Sequence, residues 1–368
     1  MINKTSFLSL AITTTLISSS VFAADHFKRR KAQKRKRIAK LEKVNNSKYS
    51  EKQLISKYAS WGINPKYTKG SINLKDSWKK FQKKKDIVVA VVDTGIQFDH
   101  PFLKDNIFVS SGKPTKQNYG VDFSIKTKKS TPIDTHGHGT HVAGIVKSIF
   151  PEVKILALKY YNPQASGQQN LNSTIKALKY AVDQNVDIIN YSGGGPEASA
   201  EEKAILLEAE KKGIIIIAAA GNEKSNIDLK NNAYFPASYG LSNIITVGAH
   251  DEYNQVIASS NWGRKSVDIA APGFRIKSAI PGNGAGLMTG TSQATAFVTG
   301  VAALIKSNYP KLNFQQIKNI VLSSSRKVKA LKGKILGGGK LDAARALEVA
   351  GFVYNRLYSQ GRNLARKK

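Results

Sequence analysis

The chain has 368 residues, no cysteine, and 57 Lys+Arg against 25 Asp+Glu, a formal charge of +32. No stretch approaches the roughly 20 consecutive apolar residues of a membrane-spanning helix, so a bundle of such helices is excluded. Disulfide staples are excluded as well, and stability must come from a large apolar core, for which the length suffices.

At the amino terminus Lys4 precedes an apolar stretch at 7–17, and small residues end in Val21-Phe22-Ala23. This pattern predicts a secretory signal peptide over 1–23 and an exported protein, secreted or periplasmic. Residues 24–58 follow as a basic segment. From Lys28 to Lys43, ten basic side chains stand against Glu42 alone. A block of like charge stays solvated and attracts polyanions at low salt, so residues 24–48 are a candidate for electrostatic binding to anionic surfaces. Little aromatic interleaving argues against a stacking platform for single strands.

A single domain is expected over 59–350. Apolar runs rich in Val and Ile at 87–92, 153–159, 186–191, 214–219, 244–248 and 267–270 read as strands. Helical periods lie at 138–150, 171–185, 198–212, 292–308, 314–323 and 342–350. Strands apolar on both faces are expected where helices cover a parallel sheet, and the alternation argues an α/β layered fold. A basic tail is expected over 351–368. There are no internal repeats, and a monomer is expected.

Four segments carry chemistry. The run at 87–92 ends in Asp93-Thr94-Gly95, placing a carboxylate at the carboxyl end of a buried strand, where sites of open α/β sheets form. His138-Gly139-Thr140-His141 opens a helix. The run at 214–219 ends in Ala220-Gly221-Asn222-Glu223, at the same edge. Gly290-Thr291-Ser292 opens the helix at 292–308. Alone, Ser292 reads as a helix cap. With a histidine base and a carboxylate to orient it, it becomes a nucleophile. Asn222 and the Ser292 N–H would then hold the oxyanion, where loss of one donor typically costs about 3–4 kcal/mol.

The blocks Val91-Val92-Asp93-Thr94-Gly95-Ile96, His138 to Gly144 and Gly290-Thr291-Ser292, in that order, resemble the subtilisin-like serine proteases, the subtilase family (peptidase S8). The resemblance runs from about Trp61 to Ala344. It implies a three-layer α/β/α sandwich with a mostly parallel central sheet, and hydrolysis of peptide bonds in polypeptide substrates through an acyl-enzyme. It also implies the triad Asp93, His138 and Ser292, with Asn222 and Ser292 in the oxyanion hole. Ser192, Gly193 and Gly194 would pair with an extended substrate by β-augmentation, and Gly194 with Ala219 and Gly221 would line the pocket before the cleaved bond. Three rival readings stand beside this one. His136, His138 and His141 have zinc-compatible spacing. Gly290–Ala294 faintly resembles a hydrolase nucleophile elbow, though there the serine comes first. A catalytically dead binding protein would need one of the four positions empty, and none is.

The chain departs from the family at several points. Gln293 replaces the usual methionine, and Ala296-Phe297 a Pro-His pair. His100-Pro101 is followed by Phe102 where a calcium-binding carboxylate is usual, and only Phe150-Pro151-Glu152 separates the histidine helix from the next strand. Calcium needs six to eight oxygen ligands, so that site is expected to be missing, and neither a metal nor any other cofactor is expected. Gly193 stands where a bulkier residue is common and suggests a roomier cleft. Glu223 at the rim favours a basic side chain, while Lys224 beside it opposes one. Residues 24–58 are too short and too charged for a usual propeptide, and a Lys/Arg-rich arm invites trimming.

Overall fold

The computed structural model describes residues 50–67, 69–109, 112–113, 115–124 and 131–358. The expected signal peptide, the basic run and residues 359–368 lie outside the described residues. All described residues belong to one compact unit that spans Tyr49–Lys368.

Short helices α1 (Glu51–Leu54) and α2 (Leu74–Trp78) precede strand β1 (Val88–Asp93). There follow β2 (Gly120–Asp122), α3 (His138–Ile149), β3 (Lys154–Lys159), α4 (Gly167–Asp183), β4 (Ile188–Tyr191), α5 (Ala200–Lys211) and β5 (Ile215–Ala219). Then come β6 (Ile244–His250), β7 (Ile269–Pro272) and the hairpin β8 (Ile276–Ile280) and β9 (Gly284–Met288). The chain closes with α6 (Thr291–Asn308), α7 (Phe314–Ser323), β10 (Arg326–Lys327), β11 (Gly339–Lys340) and α8 (Ala343–Tyr358). Among the described residues nine strands form one sheet in the order β10-β11-β7-β6-β5-β4-β1-β3-β2. Its pairs are parallel except β10 with β11.

Period two along β1 explains the layers. Val89 and Val91 enter a core cluster with side chains of α3, α6 and α7, whereas Ala90 and Val92 enter a second cluster with α4 and α5. Each β-branched side chain buried this way contributes about 1.5–3 kcal/mol, which is why Val and Ile fill both faces. The expected three-layer α/β/α sandwich is what the chain forms. Helix α6 is buried almost throughout. Gly300 lets α3 lie close to it, since a Cβ there would stand 2.7 Å from Ile149 Cβ.

Topology places the site. From β1 the chain passes to β2 at the sheet edge and through α3 back to β3 on one side, then through α4 to β4 on the other. Because α3 and α4 pack on opposite faces, the carboxyl ends of β1 and β4 flank a crevice at the switch point.

Two expected boundaries move. Leu54 is 1% exposed within the core, and the Tyr58 ring stacks on Phe102 with centroids 4.5 Å apart. Residues 50–58 therefore belong to the folded body rather than to a separable segment ending at 58. At the other end α8 runs past 350 to Tyr358. Its apolar stripe continues through Val353 and Tyr354 onto the core, and Tyr354 packs on Tyr309 at 5.2 Å. The glycine at 351 does not stop the helix, because the apolar stripe continues on either side of it.

Candidate active site

Asp93 is the last residue of β1 and is 2% exposed. Its Oδ1 accepts hydrogen bonds from the Thr94 N–H at 2.7 Å and from His138 Nδ1 at 2.7 Å. His138 is the first residue of α3, so its ring stands at the helix's amino end, above β1. Gly139 permits this approach: a Cβ there would stand 3.2 Å from Asp93 Cβ and overlap the Gly95 carbonyl. Desolvation works against the imidazolium, but the Asp93 carboxylate, by charge and hydrogen bond, outweighs it. With Asp134 behind, it holds the His138 pKa above its ordinary value.

Ser292, 6% exposed, is the second residue of α6. Its Oγ donates to the Ser192 carbonyl at 2.9 Å, and Ser192 Oγ donates to the Ser292 carbonyl at 3.2 Å. A hydroxyl has one proton, so here Ser292 is parked on the Ser192 backbone and gives no hydrogen bond to His138. Asn190 Nδ2 fixes Ser192 Oγ at 2.8 Å, and Thr299 Oγ1 fixes Asn190 at 2.8 Å. The end of β4 is thereby tied to α6.

Asn222 is exposed on the same rim. Its Oδ1 accepts from the Thr291 N–H at 2.9 Å and the Thr291 hydroxyl at 3.3 Å. That leaves the amide nitrogen as the outward donor. The structure thus joins Asp93 to His138, and Ser292 to Ser192 with Asn222 on the neighbouring Thr291, and it sets Asp93 and Ser192 at the carboxyl ends of the adjacent strands β1 and β4.

Two buried residues that sequence reasoning passed over hold this geometry. Asp134 takes the N–H groups of His136 at 3.1 Å, Gly137 at 2.7 Å and Thr140 at 2.9 Å, with the hydroxyls of Thr94 and Thr140. It thereby anchors the start of α3. Asn261 accepts from the N–H groups of Glu223 at 3.0 Å and Ser225 at 2.9 Å, and donates to the Ala220 carbonyl at 2.9 Å. That amide thus joins three points of the Ala220–Ser225 segment, which backbone bonds to Ser259, Asn261 and Trp262 also hold. An acid four residues before His138 was a usable signal for the first; nothing local marked the second.

Gly193 does not widen the cleft. A Cβ there would overlap the Tyr160 hydroxyl, so an aromatic from after β3 fills the space. A cavity of about 380 Å³ nearby is lined by Tyr160, Tyr161, Leu171, Gly194 and Phe235, among others. The zinc reading fails on geometry. His141 is fully buried, donates Nε2 to the Ile276 carbonyl at 2.9 Å, and has its pKa lowered to about 4 by burial. The calcium site of the resemblance does not fit either. Lys147 Nζ donates to the Phe102 carbonyl and lies 4.7 Å from that ring's centroid, putting an ammonium where a carboxylate would be needed. Gln293 Nε2 lies 4.0 Å from Met288 Sδ, so a methionine reaches the serine's neighbour from β9 instead.

The subtilase family profile matches residues 84–344. The major intracellular serine protease of Bacillus subtilis (strain 168) is 35% identical over 292 residues, 77% of this chain and 85% of that protein. Subtilisin E from the same organism is 34% identical over 250 residues, 65% of this chain and 60% of that protein. A chain from a solved structure of the subtilase cytotoxin SubAB assembly aligns with a TM-score of 0.66 at 26% identity. That alignment covers 80% of this chain and 99% of that one. Fold and matches together define a serine protease, a hydrolase of peptide bonds. The chain belongs to the subtilase family.

Proposed function

We propose that the chain is an exported serine endopeptidase working through Asp93, His138 and Ser292. The observation that carries this is the 2.7 Å bond from His138 Nδ1 to the buried Asp93 carboxylate, at the strand edge that also presents Ser292. Asp93 fixes the tautomer that leaves Nε2 basic and steadies the imidazolium. Substrate binding turns the Ser292 hydroxyl from the Ser192 carbonyl to His138 Nε2, which takes its proton as Oγ attacks the scissile carbonyl. The oxyanion is held by the Ser292 N–H and the Asn222 amide. His138 then protonates the leaving amine, and water repeats the sequence to release the acyl group. Ser192, Gly193 and Gly194 pair with the substrate backbone, and Gly194, Ala219 and Gly221 wall the pocket beside the carbonyl. The scheme calls on no cofactor.

Ser292→Ala should lower kcat by about 10⁶-fold and abolish labelling by a fluorophosphonate while leaving the melting curve in place. A wild-type protein that folds but does not label would instead support the binding-protein reading.

Export is proposed from the signal-like residues 1–23, although two relatives are named intracellular serine proteases. Sequencing the mature amino terminus decides: a start at Ala24 or beyond supports export, and an intact Met1 opposes it. Residues 24–48 are proposed to bind anionic surfaces, and the protein to act as a monomer. Binding to heparin resin that persists undiminished at 1 M salt would dispose of the first idea. A dimer mass by light scattering would dispose of the second.

A further inference from the structure

The two glycines that wall the pocket have one neighbour in common. A Cβ on Gly194 would stand 2.6 Å from Tyr234 Cε1 and 3.0 Å from Cζ, and a Cβ on Gly221 would stand 3.0 Å from Tyr234 Cδ2. Opposite edges of one phenol ring therefore lie against the two walls. Gly194 has φ +152° and Gly221 φ +97°, so both present bare backbone to that ring. Tyr234 is held there from behind. Its N–H donates to Ser238 Oγ at 3.0 Å, the Ser238 N–H donates to its carbonyl at 2.8 Å, and its ring packs on the cluster of Ala220, Ile227 and Ala237. Next to it, Phe235 and Gly195 exchange two backbone hydrogen bonds of 2.7 and 3.0 Å, fixing the segment against the rail. Burial and the nearby Glu223 carboxylate push the phenol's pKa up, so it stays neutral.

We infer that Tyr234 plugs the pocket for the side chain that precedes the scissile bond and restricts cleavage to small residues there: glycine, alanine or serine. This rests on the proposed placement of the scissile carbonyl between Asn222 and the Ser292 N–H. With the carbonyl there, the attached Cα lies beside Gly221, and its side chain must enter the slot between Gly194 and Gly221. The ring already fills that slot. Rejection of a group too large for a rigid pocket exceeds the roughly 10- to 200-fold that a single methylene is worth, because a benzyl group has several such carbons. Glu223 then acts at the rim and cannot draw a lysine or arginine side chain into the pocket, since the ring stands in the way.

The test uses the purified protein and three probes: a small fluorophosphonate without a recognition side chain, and two peptide phosphonates that differ only in alanine or phenylalanine beside phosphorus. In the wild type the alanine probe should label at least about 100-fold faster than the phenylalanine probe. In Tyr234→Ala that ratio should collapse or invert, while Tyr234→Phe keeps it. Equal labelling of the wild type by the two peptide probes would overturn the inference without needing any variant. An unchanged ratio in a folded Tyr234→Ala protein would overturn it as well. The fluorophosphonate separates the two failures. If it labels and the ratio is wrong, only the pocket reading falls; if it does not, the nucleophile assignment falls and takes the pocket reading with it.

Discussion

At the scale of single residues, the proposed scheme makes the Asp93–His138 pair set both the chemistry and its pH dependence. The base works only when neutral, and its pKa is held above the ordinary value of about 6.5 by Asp93 and Asp134. Hence kcat/KM should rise with pH along an acid limb centred above 6.5. Asp93→Asn should lower kcat by about 10⁴-fold at neutral pH through loss of the correct tautomer, and a limb unmoved in Asp134→Asn would count against the second carboxylate's part. Asn222 answers a different measurement. Its Oδ1 is pinned by Thr291, so removing the side chain removes a donor already aimed, with nothing to rearrange in its place. Asn222→Ala should lower kcat by about 10²- to 10³-fold and leave KM within a few-fold, whereas equal effects on both would place the amide in ground-state binding instead.

At the scale of elements, the strands that the sequence announces are those buried on both faces. Val89 and Val91 pack on one side and Ala90 and Val92 on the other, so the whole of β1 had to be apolar. The hairpin of β8 and β9 lacks that signature. β9 is Gly284-Ala285-Gly286-Leu287-Met288 and largely open to solvent, and only the Gly282-Asn283 turn, with φ +80° and +63°, hints at it. The proposed triad was legible because each member sits at a strand end or helix start within a compact motif. Tyr234 and Asn261 were not, since each meets its partners only across segments distant in the chain: the ring by packing against Gly194 and Gly221, the amide by hydrogen bonds to residues 220–225. Residues 50–58 were hidden for the same reason: Leu54 finds its partners only in the folded core. Their membership of the body predicts different outcomes for two truncations. Removing residues 1–48 should leave the melting temperature within a degree or two. Removing 1–58 loses the burial of Leu54, worth about 1.5–3 kcal/mol, and the Tyr58 stack on Phe102, and should lower it by several degrees. Equal melting temperatures for the two would restore the boundary at 58.

At the scale of the molecule, buried imidazoles make the cysteine-free core sensitive to acid: burial lowers the pKa of His100, and it does the same at His141 and His250. His141 and His250 are both fully buried. Burial lowers their pKa values to about 4 and about 3, and for His250 the Lys340 charge adds to it. Both are neutral in the folded protein near pH 5, whereas an unfolded histidine binds a proton below about 6.5. The unfolded chain therefore binds more protons in that range. The stability these groups allow is fully present above pH 6.5 and is lost as the pH falls towards 4 for His141 and 3 for His250. Other groups oppose the trend: burial raises the pKa of Glu202 and Asp268, so protonating them on acidification favours the fold. The net acid profile is therefore a sum of opposing contributions, and a paired comparison isolates one of them. Glutamine keeps an amide donor for the Ile276 carbonyl but does not titrate. In urea unfolding at pH 7 and pH 4, the stability of the wild type relative to His141→Gln should fall by on the order of 3 kcal/mol as the pH is lowered. His250→Gln should show the same sign independently. A difference that stays constant with pH would mean that the imidazole is charged within the fold, which contradicts its burial against the carbonyls of β8 and β9.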